Sequence, residues 1–327
     1  MKYIILSPHV VILNSLRGRV YLRDLINDRS VLLPRDIPIK FLDSLKKGIQ
    51  NDDLYKFDPQ IISFIKEAIR FGIAETIDKK QLKFIKNLHD PNINYLLHII
   101  DVNEIKREIS KLKSAKISIF IDSLTSRVLI RILSSLNIKY KLADISRTEL
   151  SAWQRVSKNK IATKMYKFDE ESVLNFIKGS NLVVCLTDSS FSPIHDITHE
   201  VSFKAGIPWV GGLIDGATGF LGPFVIPDDT SCYQCFKTRY TSNTENIEEK
   251  LAYMNFLNKT PGKFALPIGL PEIMAGILSN EIVKFLTNSQ YLELLNKVMS
   301  INNEFPFNIT VEDVIKVPDC EVCGRHI

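Results

Sequence analysis

The chain has 327 residues, of which 45% are hydrophobic and 24% are charged, and its formal net charge is +5. This length suits about two domains, and the composition is that of a globular protein. The small positive charge is not typical of a dedicated nucleic-acid-binding protein, although it leaves room for a local basic patch.

Cysteine usage and hydropathy together predict a cytoplasmic protein without a membrane span. Four of the five cysteines occur in two Cys-x-x-Cys pairs, which favours a reducing compartment. The apolar run at the N-terminus, Tyr3–Leu6, is too short for a signal peptide. The longest apolar region, at about 205–227, contains Asp215 as well as several glycines and prolines, so it does not resemble a transmembrane helix.

Residues 1–80 have the pattern of a small winged-helix-like module. Short β-rich segments up to about residue 33 predict strands, and apolar residues at helical spacing over 41–49 and 61–69 predict two helices. Pro59 suits the first turn of the second helix, and Gly72 suits its end. Such modules bind DNA, contact other proteins, or receive a peptide as an added strand. DNA binding is disfavoured because no concentrated basic recognition helix is present.

A polar, lysine-rich connector is predicted over 81–115, with a helix from about Val102 to Leu112. From residue 116 strands and helices alternate, as in an open and mostly parallel sheet. Predicted strands include 117–121, 140–144 and 182–186, and Cys185 is expected to be buried in the last of these. Strand-like pieces are predicted at 219–221 and 224–226, and helices at about 197–205, 248–256 and 271–286. The predicted fold class is therefore α/β, with the sheet domain spanning 116–327.

The two Cys-x-x-Cys pairs predict a structural zinc site. Cys232 and Cys235 form the first pair, and Cys320 and Cys323 form the second. Four thiolates complete a tetrahedral Zn²⁺ shell and leave no position for a catalytic water. Chance occurrence and two disulfides are the alternatives, and the second is disfavoured in a reducing compartment.

Polar residues near the predicted strand ends are candidates for a nucleotide site. Asp144 ends one strand, where a carboxylate can accept hydrogen bonds from a ribose. Arg155 and Lys160 follow it and could neutralise phosphates, and Asp188 ends a later strand, where it could hold Mg²⁺. Ordinary helix caps, turns and solvated surface cations remain the alternatives for all four.

The first turn of the predicted sheet domain argues against tight ATP binding. Residues 121–127 contain no glycine, whereas a phosphate-binding turn needs glycines so that backbone N–H groups can approach the pyrophosphate. Asp122 would also place a negative charge near the phosphates. We therefore expect ATP and Mg²⁺ binding to be weak or absent.

Several of these segments resemble the ThiF/MoeB/ubiquitin-activating superfamily, and more closely its peptide-modifying branch of MccB-like enzymes and ThiF-like partners of YcaO cyclodehydratases. They are Gly222–Pro227, Cys232–Cys235, the stretch from Ala265 to Leu286, and Pro318–Gly324. The resemblance implies a Rossmann-like domain, a homodimer, and a leader-peptide-recognition module at 1–80. It assigns the ribose contact to Asp144, the phosphate contacts to Arg155 and Lys160, and the metal-site aspartate to Asp188, as a vestigial or weak nucleotide site.

Two functions follow from this resemblance. The favoured one is a leader-peptide-binding subunit that presents a bacteriocin precursor peptide to a YcaO-type cyclodehydratase, which forms thiazoline or oxazoline rings. A flavin oxidase can be a further partner of such a complex. The alternative is an enzyme of the MccB type that uses MgATP to adenylate a peptide.

Overall fold

The structure is a computed structural model, and it falls into two compact units, Met1–Ser110 and Lys111–Ile327. It describes the following ranges: 1–8, 10–14, 19–24, 29–86, 104–122, 124–144, 162–164, 168–187, 192–243, 246–259, 269–288, 292–304 and 307–324. None of the helices in these ranges is both long and apolar enough to cross a lipid bilayer.

The first unit contains two three-stranded antiparallel sheets with helices between and after them. One sheet has the strand order β5-β1-β6 and the other has the order β2-β3-β4. The strands are β1 (Lys2–Leu6), β2 (Val10–Asn14), β3 (Val20–Asp24), β4 (Arg29–Leu32), β5 (Ile49–Gln50) and β6 (Ala74–Asp78). The helices are α1 (Ile39–Lys47), a 3₁₀ helix (Asn51–Lys56), α2 (Pro59–Arg70) and α3 (Lys79–Lys86).

Helix α2 begins and ends where its sequence predicts. A side-chain oxygen of Asp58 accepts the N–H of Gln60 at 2.9 Å, and Pro59 occupies the first helical position, where no N–H is needed. The chain leaves the helix through Gly72, whose φ of 72° favours glycine. Helix α1 is shorter than predicted, because Gly48 ends it and Ile49 starts strand β5 instead.

The core of the first unit comes from one face of each element. Leu22 of β3 and the α1 residues Leu42 and Leu45 are fully buried in it. Strand β4 lies at one edge of its sheet, and its Val31, which pairs with Leu22, packs half-buried against the same core. This arrangement leaves Ser30 and Leu32 of β4 exposed.

The second unit is an α/β domain, as predicted, whose described part contains an eight-stranded sheet of order β14-β13-β12-β11-β10-β7-β8-β9. Strands β7 to β11 are mutually parallel, and β12 to β14 continue the sheet in antiparallel fashion. The strands are β7 (Lys116–Asp122), β8 (Lys139–Asp144), β9 (Ala162–Lys164), β10 (Leu182–Thr187), β11 (Trp209–Asp215), β12 (Thr218–Val225), β13 (Lys297–Asn302) and β14 (Asn308–Asp313).

The helices of this unit pack against the sheet or against one another. They are α5 (Leu124–Ser135), α6 (Glu170–Ile177), α7 (Pro193–Lys204), α8 (Tyr233–Ser242), α9 (Ile247–Lys259) and α10 (Leu270–Leu286); α4 (Ile105–Ser114) crosses the boundary between the two units. Helix α5 packs against α10, and α6 packs against α7. Every residue of β10 is buried, including Cys185, which is typical of a strand covered on both faces.

The structure differs from the sequence-based expectation around β12 and after α10. The two strand-like pieces at 219–221 and 224–226 are one strand, β12, which pairs with both β11 and β13. Gly222 lies within it at a φ of 95°, and a Cβ there would stand 2.6 Å from the carbonyl oxygen of Lys297. The hairpin of β13 and β14, to which the sequence analysis assigned no element, extends the sheet by two strands.

Candidate functional site

The four paired cysteines meet in the second unit and form the candidate metal centre. All four are buried, and their Sγ atoms lie within 4.8 Å of one another. Cys232 and Cys320 are 3.5 Å apart between sulfurs, Cys235 and Cys323 are 3.4 Å apart, and Cys232 and Cys235 are 3.7 Å apart. The chain thus brings together two sulfur pairs separated by 88 positions.

Each pair is shaped by a local turn. Cys232 is the N-cap of α8, and Cys235 lies in the first turn of that helix. The second pair is closed by Gly324, whose N–H donates to the carbonyl of Cys320 at 2.8 Å. A Cβ at Gly324 would stand 2.6 Å from the carbonyl oxygen of Pro318, so only glycine fits this turn without a shift.

The electrostatics of the sulfur cluster suit a cation. The thiol of Cys232 donates to Cys235 and so lowers the pKa of Cys235 to about 4, and the backbone N–H of Val317 adds a hydrogen bond to the Cys235 sulfur at 3.3 Å. That same hydrogen bond to Cys235 raises the pKa of Cys232, and burial raises the pKa of Cys323 to about 12. Four thiols this close cannot all ionise unless a positive ion lies among them.

A zinc ion fits this donor set. With Zn–S bonds of about 2.3 Å, the sulfurs of a tetrahedral site are about 3.8 Å apart, close to the separations observed here. All four ligands come from protein, so no coordination position stays open for a water or a substrate.

The first Cys pair packs beside a buried cluster of aromatic side chains, which the sequence did not predict. His199 of α7 accepts the backbone N–H of Tyr233 at 3.3 Å, and the ring of Tyr233 stacks on His195 at a centroid distance of 5.4 Å. Trp209 contacts both histidines and Tyr233. Burial lowers the pKa of His195 to about 4 and that of His199 to about 3, so both rings are neutral near pH 7.

Two polar side chains link the sulfur cluster to neighbouring segments of the antiparallel region. Arg239 of α8 donates to the carbonyls of Ile315 and Lys316, at 2.8 and 3.3 Å, and so fixes the segment that leads to Cys320. Asn296, just before β13, accepts the backbone N–H of Ser231 at 2.6 Å. These contacts make the sulfur cluster part of the fold, which is the expectation for a structural metal.

Of the residues predicted for nucleotide binding, the structure describes the backbone position of one. Asp144 is the last residue of β8, where it pairs with Ile121 of the central strand β7. Arg155, Lys160 and Asp188 lie outside the described residues. Strand β7 ends at Asp122 and α5 begins at Leu124, so a single residue separates this strand from its helix.

Comparisons with known proteins agree with this architecture. A family model described as the ThiF family matches residues 143–322, which is more than half of the chain. No curated protein sequence matches the chain.

Solved structures with similar folds cover the whole chain. E. coli MccB has a TM-score of 0.71 and 16% identity, with 100% of this chain and 98% of MccB covered. The complex of E. coli MccB with MccA-N7isoASN has a TM-score of 0.69 and 18% identity, with 98% and 99% covered. The heterocyclase TruD has a TM-score of 0.64 and 16% identity, with 99% of this chain but 43% of TruD covered.

Proposed function

Because the chain belongs to the ThiF family, we propose that it is the peptide-binding subunit of a complex that modifies a ribosomally made peptide. It holds the leader of a bacteriocin-type precursor and presents the remainder to a separate YcaO-type cyclodehydratase, which closes Cys, Ser or Thr side chains into azoline rings. A flavin oxidase is a further candidate partner. The contribution of the present chain is proximity, because a substrate that is held in the complex reacts as if the step were intramolecular.

The comparison with TruD carries this proposal. Nearly all of the present chain, 99%, corresponds to 43% of the heterocyclase. More than half of that heterocyclase therefore lies outside the region that the present chain resembles. We propose that the region shared with this chain binds peptide, and that the cyclisation chemistry resides in the other part of that heterocyclase.

Strand β4 of the first unit is the proposed peptide-binding edge. Leu33 donates its N–H to the carbonyl of Val20 at 2.8 Å, so by the alternation of an antiparallel ladder Val31 also faces β3. The main-chain groups of Ser30 and Leu32 then point away from β3, where an incoming strand can bond to them. The half-buried Val31 offers an apolar contact beside that edge.

The alternative function is adenylation of a peptide by the chain itself. The match to MccB over nearly the full length of both chains favours it, and one similar structure is of E. coli MccB with ATP. In this case Arg155 and Lys160 stabilise phosphate charge and Asp188 holds Mg²⁺. The glycine-free sequence at 121–127 weighs against it, because a phosphate-binding turn needs glycines so that the backbone N–H groups can approach the phosphates.

The Cys cluster has an architectural role in both proposals. We propose that it binds one Zn²⁺ through Cys232, Cys235, Cys320 and Cys323, and that the ion stabilises the fold without touching the substrate. We also propose that the chain forms a homodimer in the cytoplasm.

Calorimetry with the whole protein separates the two functions. The probes are MgATP and a Cys-, Ser- or Thr-rich precursor peptide, to be sought among the genes next to the one that encodes this chain. The expected result is peptide binding without ATP binding, and peptide cyclisation once a YcaO-type protein is added. ATP binding with pyrophosphate release in the absence of any partner would establish the adenylating enzyme instead.

The variant Arg155→Ala provides a matched control. Under the subunit proposal, it leaves both peptide affinity and cyclisation by the YcaO-type partner within about twofold of the unchanged protein, since the contact is not used. Cyclisation that collapses while the peptide still binds would contradict the proposal.

A further inference from the structure

A pocket of about 460 Å³ opens in the second unit between helix α8 and the hairpin of β13 and β14. Its volume falls within the range of sites that bind small ligands or single side chains. Helix α8, both strands of the hairpin and the segment that follows β14 contribute to its lining. None of the lining residues is a sulfur ligand or part of strand β4, so neither of the proposed roles accounts for the pocket.

One wall of the pocket is aromatic. Phe236 and Tyr240 lie one helical turn apart on α8, and their ring centroids are 5.8 Å apart. Phe220 of β12 packs against both rings, at centroid distances of 6.3 and 5.4 Å, and so holds them in place. Phe236 is buried but Tyr240 is only half-buried, so a ligand in the pocket can reach the Tyr240 ring. The faces of aromatic rings attract cations.

The hairpin places a carboxylate opposite this wall. Glu312 of β14 pairs with Val298 of β13, so the two side chains lie on the same face of the sheet. Val298 is buried in the same core cluster as Phe236, which puts Glu312 on the side of the sheet that faces α8. Glu312 is itself exposed and forms no ion pair with another described residue. Its charge is therefore available to a ligand.

The end of helix α8 makes the mouth of the pocket more negative. The C-cap residue of this helix, Asn243, lines the pocket, and the C-terminal end of a helix carries a partial negative charge. Asp313 adds a second carboxylate, and Lys297 approaches it to 3.9 Å. Both side chains of that pair are well exposed, and such pairs are weak, so the carboxylate of Asp313 still attracts a cation.

Arg239 is the cation of the lining, and its guanidinium is already engaged. Its Nε and Nη2 atoms donate to the carbonyls of Ile315 and Lys316, at 2.8 and 3.3 Å. These bonds hold the segment after β14 against α8, so they fix the two sides of the pocket relative to each other. The lining thus carries two carboxylates and a helix C-terminus against one engaged guanidinium, a balance that favours a cationic ligand.

We propose that this pocket binds the side chain of an arginine presented by a partner polypeptide. The inference goes beyond the peptide-binding function at β4 and does not depend on it. The guanidinium stacks on Tyr240 and pairs with Glu312. Arginine suits the pocket better than lysine, because its planar and weakly hydrated head both stacks on a ring and bonds a carboxylate at two points.

The surroundings of the pocket favour a polypeptide over free arginine. Ile315 lines the pocket and is 64% exposed, so it offers an apolar contact to a residue next to the bound arginine. Free arginine has no such neighbouring residue. It also carries a carboxylate of its own, which Glu312 and Asp313 would repel.

The test is a titration of the whole protein, with its isoleucine and valine methyl groups labelled, followed by NMR. The probe is a capped pentapeptide with arginine at its centre, leucine beside it and glycine elsewhere. We expect the methyl signals of Ile315, Val298 and Val314 to shift and to saturate at about 1 mM, the affinity of a single anchored side chain. Unchanged signals at these three residues up to about 10 mM peptide would overturn the proposal.

Matched probes define the ligand. Citrulline in place of the arginine keeps the shape but removes the charge, and it should bind about tenfold more weakly or worse. Lysine in that place, and free arginine, should each bind measurably more weakly than the arginine peptide. Equal binding of the citrulline peptide would overturn the role of charge. Equal binding of the lysine peptide would overturn the preference for a guanidinium, and equal binding of free arginine would overturn the polypeptide partner.

Matched variants define the site. Glu312→Gln should weaken binding of the arginine peptide by about tenfold, because a charge-assisted contact is lost. Glu304→Gln changes an exposed glutamate between β13 and β14, outside the lining, and should bind normally. Equal affinity in these two variants would overturn the site.

The aromatic contact has its own pair of variants. Tyr240→Phe keeps the ring and should bind the arginine peptide normally, whereas Tyr240→Leu removes the ring and should bind more weakly. Methyl signals far from the pocket report whether each variant is folded. Full affinity in a folded Tyr240→Leu would overturn the stacking contact. Peptide binding at β4 would stand in either case, since all of these variants lie in the second unit.

Discussion

The imidazole Nε2 of His199 accepts the backbone N–H of Tyr233 at 3.3 Å, although the two residues are 34 positions apart. Tyr233 follows the N-cap residue Cys232, whose own side chain makes no capping hydrogen bond. His199 therefore supplies a partner to one of the N–H groups that a helix start leaves unpaired. A residue of α7 thus helps to hold the turn that carries the first Cys pair.

Replacing His199 should loosen that turn. His199→Leu leaves the Tyr233 N–H buried without an acceptor, at a cost of about 1–3 kcal/mol. For a domain of this size that corresponds to a melting temperature lower by about 2–10 °C, and zinc should pass faster to a competing chelator. His199→Gln retains an acceptor for the Tyr233 N–H. This variant should therefore recover much of the lost melting temperature and much of the slow zinc release. Equal zinc release from the two variants would contradict the capping role.

Acid should weaken the fold through the two buried histidines. Their pKa values in the folded state, about 4 for His195 and about 3 for His199, lie below the ordinary value of 6.5. The unfolded chain therefore binds more protons below pH 6.5, and stability that is complete above this pH falls as the pH drops toward 4. The loss approaches about 1.4 kcal/mol per pH unit for each ring.

Urea unfolding at pH 7, 6 and 5, with the zinc content measured in each sample, checks this prediction. His199→Gln should show a shallower dependence of unfolding free energy on pH than the unchanged protein, because one titrating ring is gone. The same slope in both proteins would assign the acid sensitivity to other groups.

Loss of one sulfur ligand should release the metal. Cys232→Ser is expected to abolish stoichiometric zinc in elemental analysis and to cost several kcal/mol, since the metal-binding free energy of such sites is folding free energy. Cys185→Ala is the control, because Cys185 is a buried β10 residue outside the sulfur cluster. Full zinc content and an unchanged melting temperature in Cys232→Ser would refute the tetrathiolate site.

A proline at the edge of β4 should block the leader peptide. Ser30→Pro removes an outward N–H and leaves the bonds between β4 and β3 in place, so the first unit should remain folded. Peptide affinity should fall by about tenfold or more, because one or two hydrogen bonds to the peptide are lost. Ser30→Ala should bind normally in the same fluorescence anisotropy titration. Normal peptide binding by Ser30→Pro would show that the peptide binds at another edge and not at β4.

Local patterns predict the parallel half of the second unit well. The buried run at 182–186 and the alternation of strands and helices depend on nearby residues, and β7, β8 and β10 form within one residue of where they are expected. The sulfur cluster could also be predicted, because metal coordination restricts which residue types can meet and at what spacing.

Other features depend on contacts that no local pattern encodes. The bond from Tyr233 to His199 joins two helices, and nothing in either segment alone indicates it. The β13–β14 hairpin has a weak signal, since its apolar residues lie on both faces and β14 buries none of its side chains. Three of the four nucleotide-site residues lie outside the described chain, so that assignment stays a prediction.

The two sulfur pairs lie far apart along the chain, so a bound metal would restrict the conformations of the unfolded chain. A cross-link between positions 88 residues apart closes a loop that contains α9, α10 and the β13–β14 hairpin. If the unfolded chain kept its ion, loop-closure entropy alone would favour the native state by about 4–5 kcal/mol on the estimate used for disulfides. Zinc would then stabilise this protein in the way that a disulfide stabilises many secreted proteins.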